Sequence, residues 1–228
     1  MASKYFIYLA GRDRSRRADF QSAYLRAARK VAAALPQGGK LIVNLVEETP
    51  EGVPFRPVNL RTAEADAVYD VIVELSPPAD EAEQILETLV SCAEDVATTE
   101  IYQVEEIVQL DRQVIVLGER SPGIKYIGRL NFHPDLPSTA ARRSWDIHVP
   151  LALRVHVGMD KYVRNWIVDA SRGRPAGGIA QLNFPTIDDM LTRYFDSDRG
   201  REEIMHDISH FIANGARFFA SEFVLCDR

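Results

Sequence analysis

The sequence predicts an α+β protein made of two tandem ferredoxin-like β-α-β-β-α-β units, packed sheet to sheet as a pseudo-dimeric α/β barrel. Three observations carry this. Short segments rich in aromatic and β-branched residues alternate apolar with polar, as half-buried strands do. Between them lie segments whose apolar residues recur every three or four positions, as on a helix face. The order strand, helix, strand, strand, helix, strand occurs twice, which sets units at 1–114 and 115–228.

In the first unit, Lys4–Ala10 (KYFIYLA) is the opening strand, bounded by Gly11. A helix over Asp19–Leu35 follows, with Phe20, Tyr24, Ala27, Ala28, Val31 and Leu35 spaced along one face, and PQGG at 36–39 stops it. Lys40–Glu48 and Ala67–Leu75 alternate as the middle strands, with a proline-bearing connection between them. Pro77–Asp80 opens a second helix through Ile85, Leu86, Leu89 and Val90, and Thr98–Leu110 closes the unit. In the second unit, Lys125–Phe132 is a strand and Ser138–His156 a helix interrupted at Pro150. Lys161–Val168 and Gly178–Phe184 are the middle strands. Ile187, Met190, Leu191, Tyr194 and Phe195 mark a helix, Arg201–Ile212 a further short one, and Ala216–Leu225 the last strand. Each unit is a sheet with helices on one face, so its other face is bare. Packing the bare faces together buries both and encloses a space between them.

Bulk properties narrow the partners. No run approaches the roughly 18 apolar residues that span a bilayer, so no membrane partner is expected. The net charge of −6 divides unevenly. Residues 1–114 hold 12 basic and 19 acidic groups, and residues 115–228 hold 15 and 14. Nucleic acid is therefore not expected either, because phosphate binding needs a basic surface. The pairs Arg142–Arg143, Arg172/Arg174 and Arg199/Arg201 read as solvated surface that could steer a small carboxylate. The apolar stretch at the N-terminus is short and precedes its arginines, the reverse of a secretory signal, and cytoplasmic residence is expected. Cys92 reads as a buried structural thiol and Cys226 as merely terminal. A small organic ligand is the expected partner, with a homodimer allowed for.

The second half carries motifs as well as order: WDIHVPL at 145–151, MDKYVRN at 159–165, GIAQLNF at 178–184, Ser197–Gly200, and RFFASEF at 217–223. In this sequence of pieces, residues 123–225 resemble the EthD-like family of the dimeric α/β-barrel superfamily. The first half shares the element order but not the motifs, as a divergent second unit. The resemblance implies a small-molecule enzyme using cofactor-independent acid–base chemistry, as a lyase, isomerase or cyclase. Its substrate would be an aromatic, lactone or polyketide-like compound in the barrel cavity, with no organic cofactor and no metal. A non-catalytic ligand-binding or accessory barrel is the alternative.

His148 is the first site candidate, because imidazole exchanges protons near neutral pH and the resemblance makes the histidine of this motif an acid/base group. A break at Pro150 would turn it toward the sheet. It could instead cap the broken helix. Tyr162 matches a ligand-facing tyrosine and would hydrogen-bond an oxyanion. Along its strand Tyr162, Arg164 and Trp166 share one face. Val163 and Ile167 look like the helix-packed side, which puts the first set in the barrel as catalytic Tyr162 with ligand-binding Arg164 and Trp166. Ordinary inter-sheet packing is the other reading of Tyr162 and Trp166. Gln181 and Asn183 stand where some relatives carry a cysteine or an acid, and are left as neutral hydrogen bonders; Trp145 completes the expected ligand-binding set. His206 and His210 have zinc-protease spacing with Asp207 in place of glutamate, but no third ligand is evident and surface histidines are expected. Some members of the wider superfamily bind haem, for which His148 or His156 would be the axial ligand.

Overall fold

The computed structural model describes residues 3–54, 69–92 and 95–227. In chain order the elements are β1 (Lys4–Gly11), α1 (Arg17–Ala34), β2 (Lys40–Glu47), β3 (Val71–Ser76), α2 (Ala82–Ser91) and β4 (Val96–Asp111). They continue with β5 (Ile124–Phe132), α3 (Ser138–Val155), β6 (Lys161–Arg172), β7 (Gly178–Phe184), α4 (Ile187–Arg193), α5 (Asp198–Ile208) and β8 (Ile212–Asp227). The start of the strand expected at Ala67, and the end of the proline-bearing connection before it, lie outside the described residues.

The last strand of each unit joins the two sheets. β4 and β8 each run 16 residues. β4 pairs with β1 in its own unit and then, over Ile101–Asp111, with β6 of the other. β8 pairs with β5 and then, over Phe219–Asp227, with β2. The result is a closed antiparallel barrel in the order β1-β3-β2-β8-β5-β7-β6-β4, which leaves no open sheet edge to aggregate. Two ferredoxin-like units do form a pseudo-dimeric barrel, and strand pairing welds them.

Among the described residues, side chains take up most of the expected space between the sheets. Phe6, Tyr8, Ile72, Tyr102, Ile127 and Phe218 belong to one buried cluster inside the barrel. An eight-stranded barrel has an interior about wide enough for its own side chains. Polar networks close both ends. At one end Lys125 Nζ lies 2.5 Å from Glu74 and 2.6 Å from Glu222, with Lys4 2.8 Å from the other Glu74 oxygen. Burial raises the cost of ionising Glu74, but the two lysines outweigh it and hold the carboxyl well below its usual range. At the other end the Arg129 guanidinium donates to Glu100 at 2.7 Å and to the Tyr102 hydroxyl at 2.8 Å, with the Tyr8, Tyr69 and Tyr102 rings around it.

Helices cover the outside of each unit. Under α1 and α2 lies an aliphatic layer that includes Leu9, Leu41, Val73, Leu86 and Leu89. Cys92 is half-buried against it, and Cys226, expected to be merely terminal, is 3% exposed within it, its Sγ 3.4 Å from the Gly39 carbonyl. Under α3, α4 and α5 lies an aromatic layer. Contrary to expectation, α3 is continuous through Pro150. A proline removes one N–H, and here it stands exposed on the outer face. α4 and α5 start at side-chain caps, Thr186 accepting from the Asp189 N–H and Ser197 from the Gly200 N–H.

Candidate functional site

α3 buries Ala141, Trp145, His148, Val149, Ala152 and Val155, one helical stripe. His148 therefore reaches the sheet by ordinary periodicity, with no help from a break at Pro150. Beneath it a cavity of about 80 Å³ lies between the outer face of the second sheet and α3 to α5. His148, Tyr162 and Trp145 line it together, with His156, Tyr126 and Arg217.

The ring of His148 is 7% exposed, and its Nδ1 lies 2.7 Å from a carboxylate oxygen of Asp207 on α5. Donating the Nδ1 proton to Asp207 fixes the tautomer and leaves Nε2 as the basic nitrogen. Burial pushes the imidazole pKa down, Asp207 pulls it back part-way, and Arg164 lowers it further. At neutral pH the ring is a neutral base whose imidazolium would be held by a carboxylate. The Tyr162 hydroxyl accepts a hydrogen bond from Trp145, and burial pushes its pKa up to about 12, so the phenol keeps its proton for an oxyanion. His156 is different: Nδ1 is 2.6 Å from the Tyr194 carbonyl, and burial lowers its pKa to about 4, so it stays neutral and structural.

The face assignment along β6 is the reverse of the expected one. Val163, Asn165 and Ile167 point into the barrel, and Tyr162, Arg164 and Trp166 lie under the helices. On this strand the interior receives the branched and amide side chains, and the gap under α3 receives the rings. Arg164 is 2.7 Å from Asp146 and 5.4 Å from the Trp145 ring centre, and clamps α3 to β6 beside the cavity. Trp166 stacks on Phe132 at 5.0 Å and sits outside the cavity lining. Gln181 and Asn183 face the barrel interior. Gln181 donates to Glu74 at 2.7 Å and accepts from Asn165 at 3.0 Å. Asn183 borders a cavity of about 40 Å³ among the lysines of one barrel mouth. The expected set thus splits across two faces of one sheet.

Comparison with known proteins adds the frame. No family model and no curated protein matches the chain. Solved structures do. A proposed monooxygenase of Fusobacterium nucleatum superposes with a TM-score of 0.61 at 11% identity, covering 98% of this chain and 93% of that one. An anthrone oxidase-like protein gives 0.62 at 10%, covering 99% and 94%. A mutant chlorite dismutase of Candidatus Nitrospira defluvii gives 0.56 at 9%, covering 98% and 92%. The fold is that of the dimeric α/β barrels. At such identities the likeness concerns fold alone.

Whether this barrel could hold haem is decided by space. An engineered cavity of about 150 Å³ takes a benzene, and the cavity at His148, lined by Tyr126, Tyr162, Tyr194 and Trp145, is about half that. Haem does not fit these residues as they are placed. Among the described residues no group of three or more histidine, cysteine or acidic side chains could hold a metal. His206 and His210 are exposed, their rings 4.6 Å apart. An open depression of about 830 Å³ beside α1 is larger than the His148 cavity. Its arginines (12, 16, 26) are matched by aspartates (13, 19, 95) and it contains no histidine, so it offers no comparable chemistry. No helix among the described residues is long and apolar enough to cross a membrane. Four of the surface arginines are ion-paired, Arg142 with Glu105, Arg172 with Glu83, Arg174 with Glu100 and Arg199 with Glu203.

Asp207 is the residue that sequence reasoning missed as a partner of His148. The two stand 59 positions apart, and the histidines on either side of Asp207 drew it into a metal motif instead. One signal was available: Ile204, Ile208 and Phe211 mark a buried stripe, and Asp207 stands on its edge.

Proposed function

We propose that the protein is an EthD-like small-molecule enzyme performing cofactor-independent acid–base chemistry in the helix-side cavity. The observation that carries this is the His148–Asp207 couple at 2.7 Å, with His148 and the Tyr162 phenol lining one cavity. In the proposed step His148 Nε2 takes a proton from a carbon next to a carbonyl. The C–H electron pair moves into the carbonyl, the resulting enolate oxygen is hydrogen-bonded by Tyr162, and the imidazolium, stabilised by Asp207, returns the proton. The volume favours a compact carbonyl compound over a polyketide-like one unless α4 and α5 move apart. Such a role is worth roughly 10² to 10⁴ in rate.

The test is deuterium incorporation from D₂O into a panel of acetone, pyruvate, acetoacetate and small lactones, followed by NMR. The expected result is exchange faster than buffer for at least one compound, lost in His148→Gln. Exchange that survives in His148→Gln, or none in the wild type, overturns the reading. A non-catalytic binding barrel is the second reading, favoured by the lack of a carboxylate in the cavity lining among the described residues; it predicts binding without exchange.

The same proposal keeps the units at 1–114 and 115–228. Cytoplasmic residence is supported by two free thiols, Cys92 and Cys226. A homodimer is supported by exposed Val114, Val116 and Leu117 after β4.

A further inference from the structure

The end of α5 presents two histidines that the His148 site does not use. His206 and His210 lie four positions apart, so they share one side of the turn that ends the helix. Both are exposed, and neither lines the cavity at His148. Their ring centres are 4.6 Å apart. That is the spacing of a chelate. With metal–nitrogen bonds of about 2.0–2.1 Å and each ring centre about 1.1 Å further on, two imidazoles held about 90–110° apart on one ion have their centres about 4.5–5.2 Å apart. The hydrogen bonding points the same way. His210 Nδ1 lies 2.8 Å from the His206 carbonyl oxygen. Donating there fixes the tautomer and leaves the Nε2 lone pair for a ligand bond, the way backbone carbonyls orient metal-bound histidines. The His206 ring makes no hydrogen bond or ion pair among the described residues, so its own lone pair is available to the same ion.

We propose that His206 and His210 form a two-imidazole site for a divalent transition ion of the nickel, copper and zinc group, with water in the remaining positions. Imidazole suits these ions, whereas magnesium and calcium prefer oxygen ligands. Asp207, the carboxylate on His148, lies between the two ligands in sequence. This end of α5 is closed by the Ser209 N–H donating to the Met205 carbonyl at 3.3 Å and the His210 N–H to the Asp207 carbonyl at 3.1 Å. An ion joining His206 to His210 spans the same turn and holds it closed, and with it the backbone that carries Asp207. Metal availability thus acts on the His148 couple from outside the cavity. That consequence rests on the acid–base reading; metal binding does not.

The experiment is calorimetric titration of the full-length, tag-free protein with nickel and zinc chloride, with magnesium chloride as control. Hydrogen exchange of the α5 amides is followed by NMR with and without zinc. The expected result is one nickel or zinc ion per chain, no magnesium binding, and exchange of the Ser209 and His210 amides slowed severalfold by zinc. His206→Gln and His210→Gln should each weaken binding at least about tenfold, because the remaining imidazole loses its chelate partner. His133→Gln, whose ring bonds the Ser209 carbonyl from the neighbouring segment, should leave binding unchanged. Both ligand positions are exposed, and melting curves check that the variants fold; if one does not, the other supplies the test. No nickel or zinc binding, binding unchanged in both ligand variants, or one ion shared between two chains overturns the site. Unchanged amide exchange with the ion bound overturns the clamp on α5 alone. Zinc binding that depends on His206 and His210, in a wild type that exchanges no deuterium into carbonyl compounds, supports the site and refutes only the acid–base reading.

Discussion

The two helix-covered layers of the barrel are built on the same topology and differ in what fills them. Among the described residues, the buried cluster under α1 and α2 has one ring, Tyr24, whose hydroxyl donates to the Leu89 carbonyl at 3.0 Å; the rest is aliphatic apart from Cys226. Among the same residues, the corresponding cluster under α3 to α5 contains seven aromatic side chains, with His148 and His156 beside them. Branched aliphatic side chains interdigitate and fill a layer. Flat, rigid rings meet at angles, as Trp145 and Phe132 do at 63°, and leave gaps with polar atoms at their edges. Pseudo-symmetry is thus kept in the strands and broken in the side chains: one layer serves stability, the other holds the cavity.

The aliphatic layer should give the largest loss of stability. Leu89, fully buried in the aliphatic layer, should cost about 2–5 kcal/mol on truncation to alanine. Chemical denaturation should show that loss, while the His148 titration in the folded fraction stays unchanged. A shifted His148 titration in a folded Leu89→Ala protein would mean that the two layers are not separate.

Next is the pH dependence of the aromatic layer. Burial lowers the pKa of His156 to about 4 from an ordinary 6.5, so the unfolded chain binds this proton more readily than the folded one. Stability from this group is complete above pH 6.5 and is lost as pH falls toward 4, by about 3 kcal/mol. Denaturation at pH 7 and pH 4.5 measures it, and His156→Asn should flatten the slope. A slope unchanged in that variant would remove His156 as its source.

How much of this was legible in the sequence follows from the same layers. Strand and helix identities were readable because alternation and three-four spacing are local. The direction of β6 was not. Its residues Tyr162–Asn165 are buried on both faces, as is all of β7, and period-two alternation separates inside from outside only when one face is wet. Rings were assigned to the interior and Val163 and Ile167 to the helices, and the opposite holds. His148, Tyr162 and Trp145 still came together, because all three changed sides in common relative to the barrel. Asp207 was hidden because its partner is distant in sequence. Pro150 was over-read: the missing N–H affects one turn of a helix held by Arg164–Asp146 and by its buried stripe.

The account stands most directly on the His148–Asp207 couple. Its measure is the imidazole titration of His148 by NMR in the wild type and in Asp207→Asn. The wild-type pKa is expected below 6.5. Because the Asp207 carboxylate favours the imidazolium, its removal should lower the pKa further. An ordinary His148 pKa that does not move in Asp207→Asn would contradict the coupling and, with it, the placement of the site under the helices.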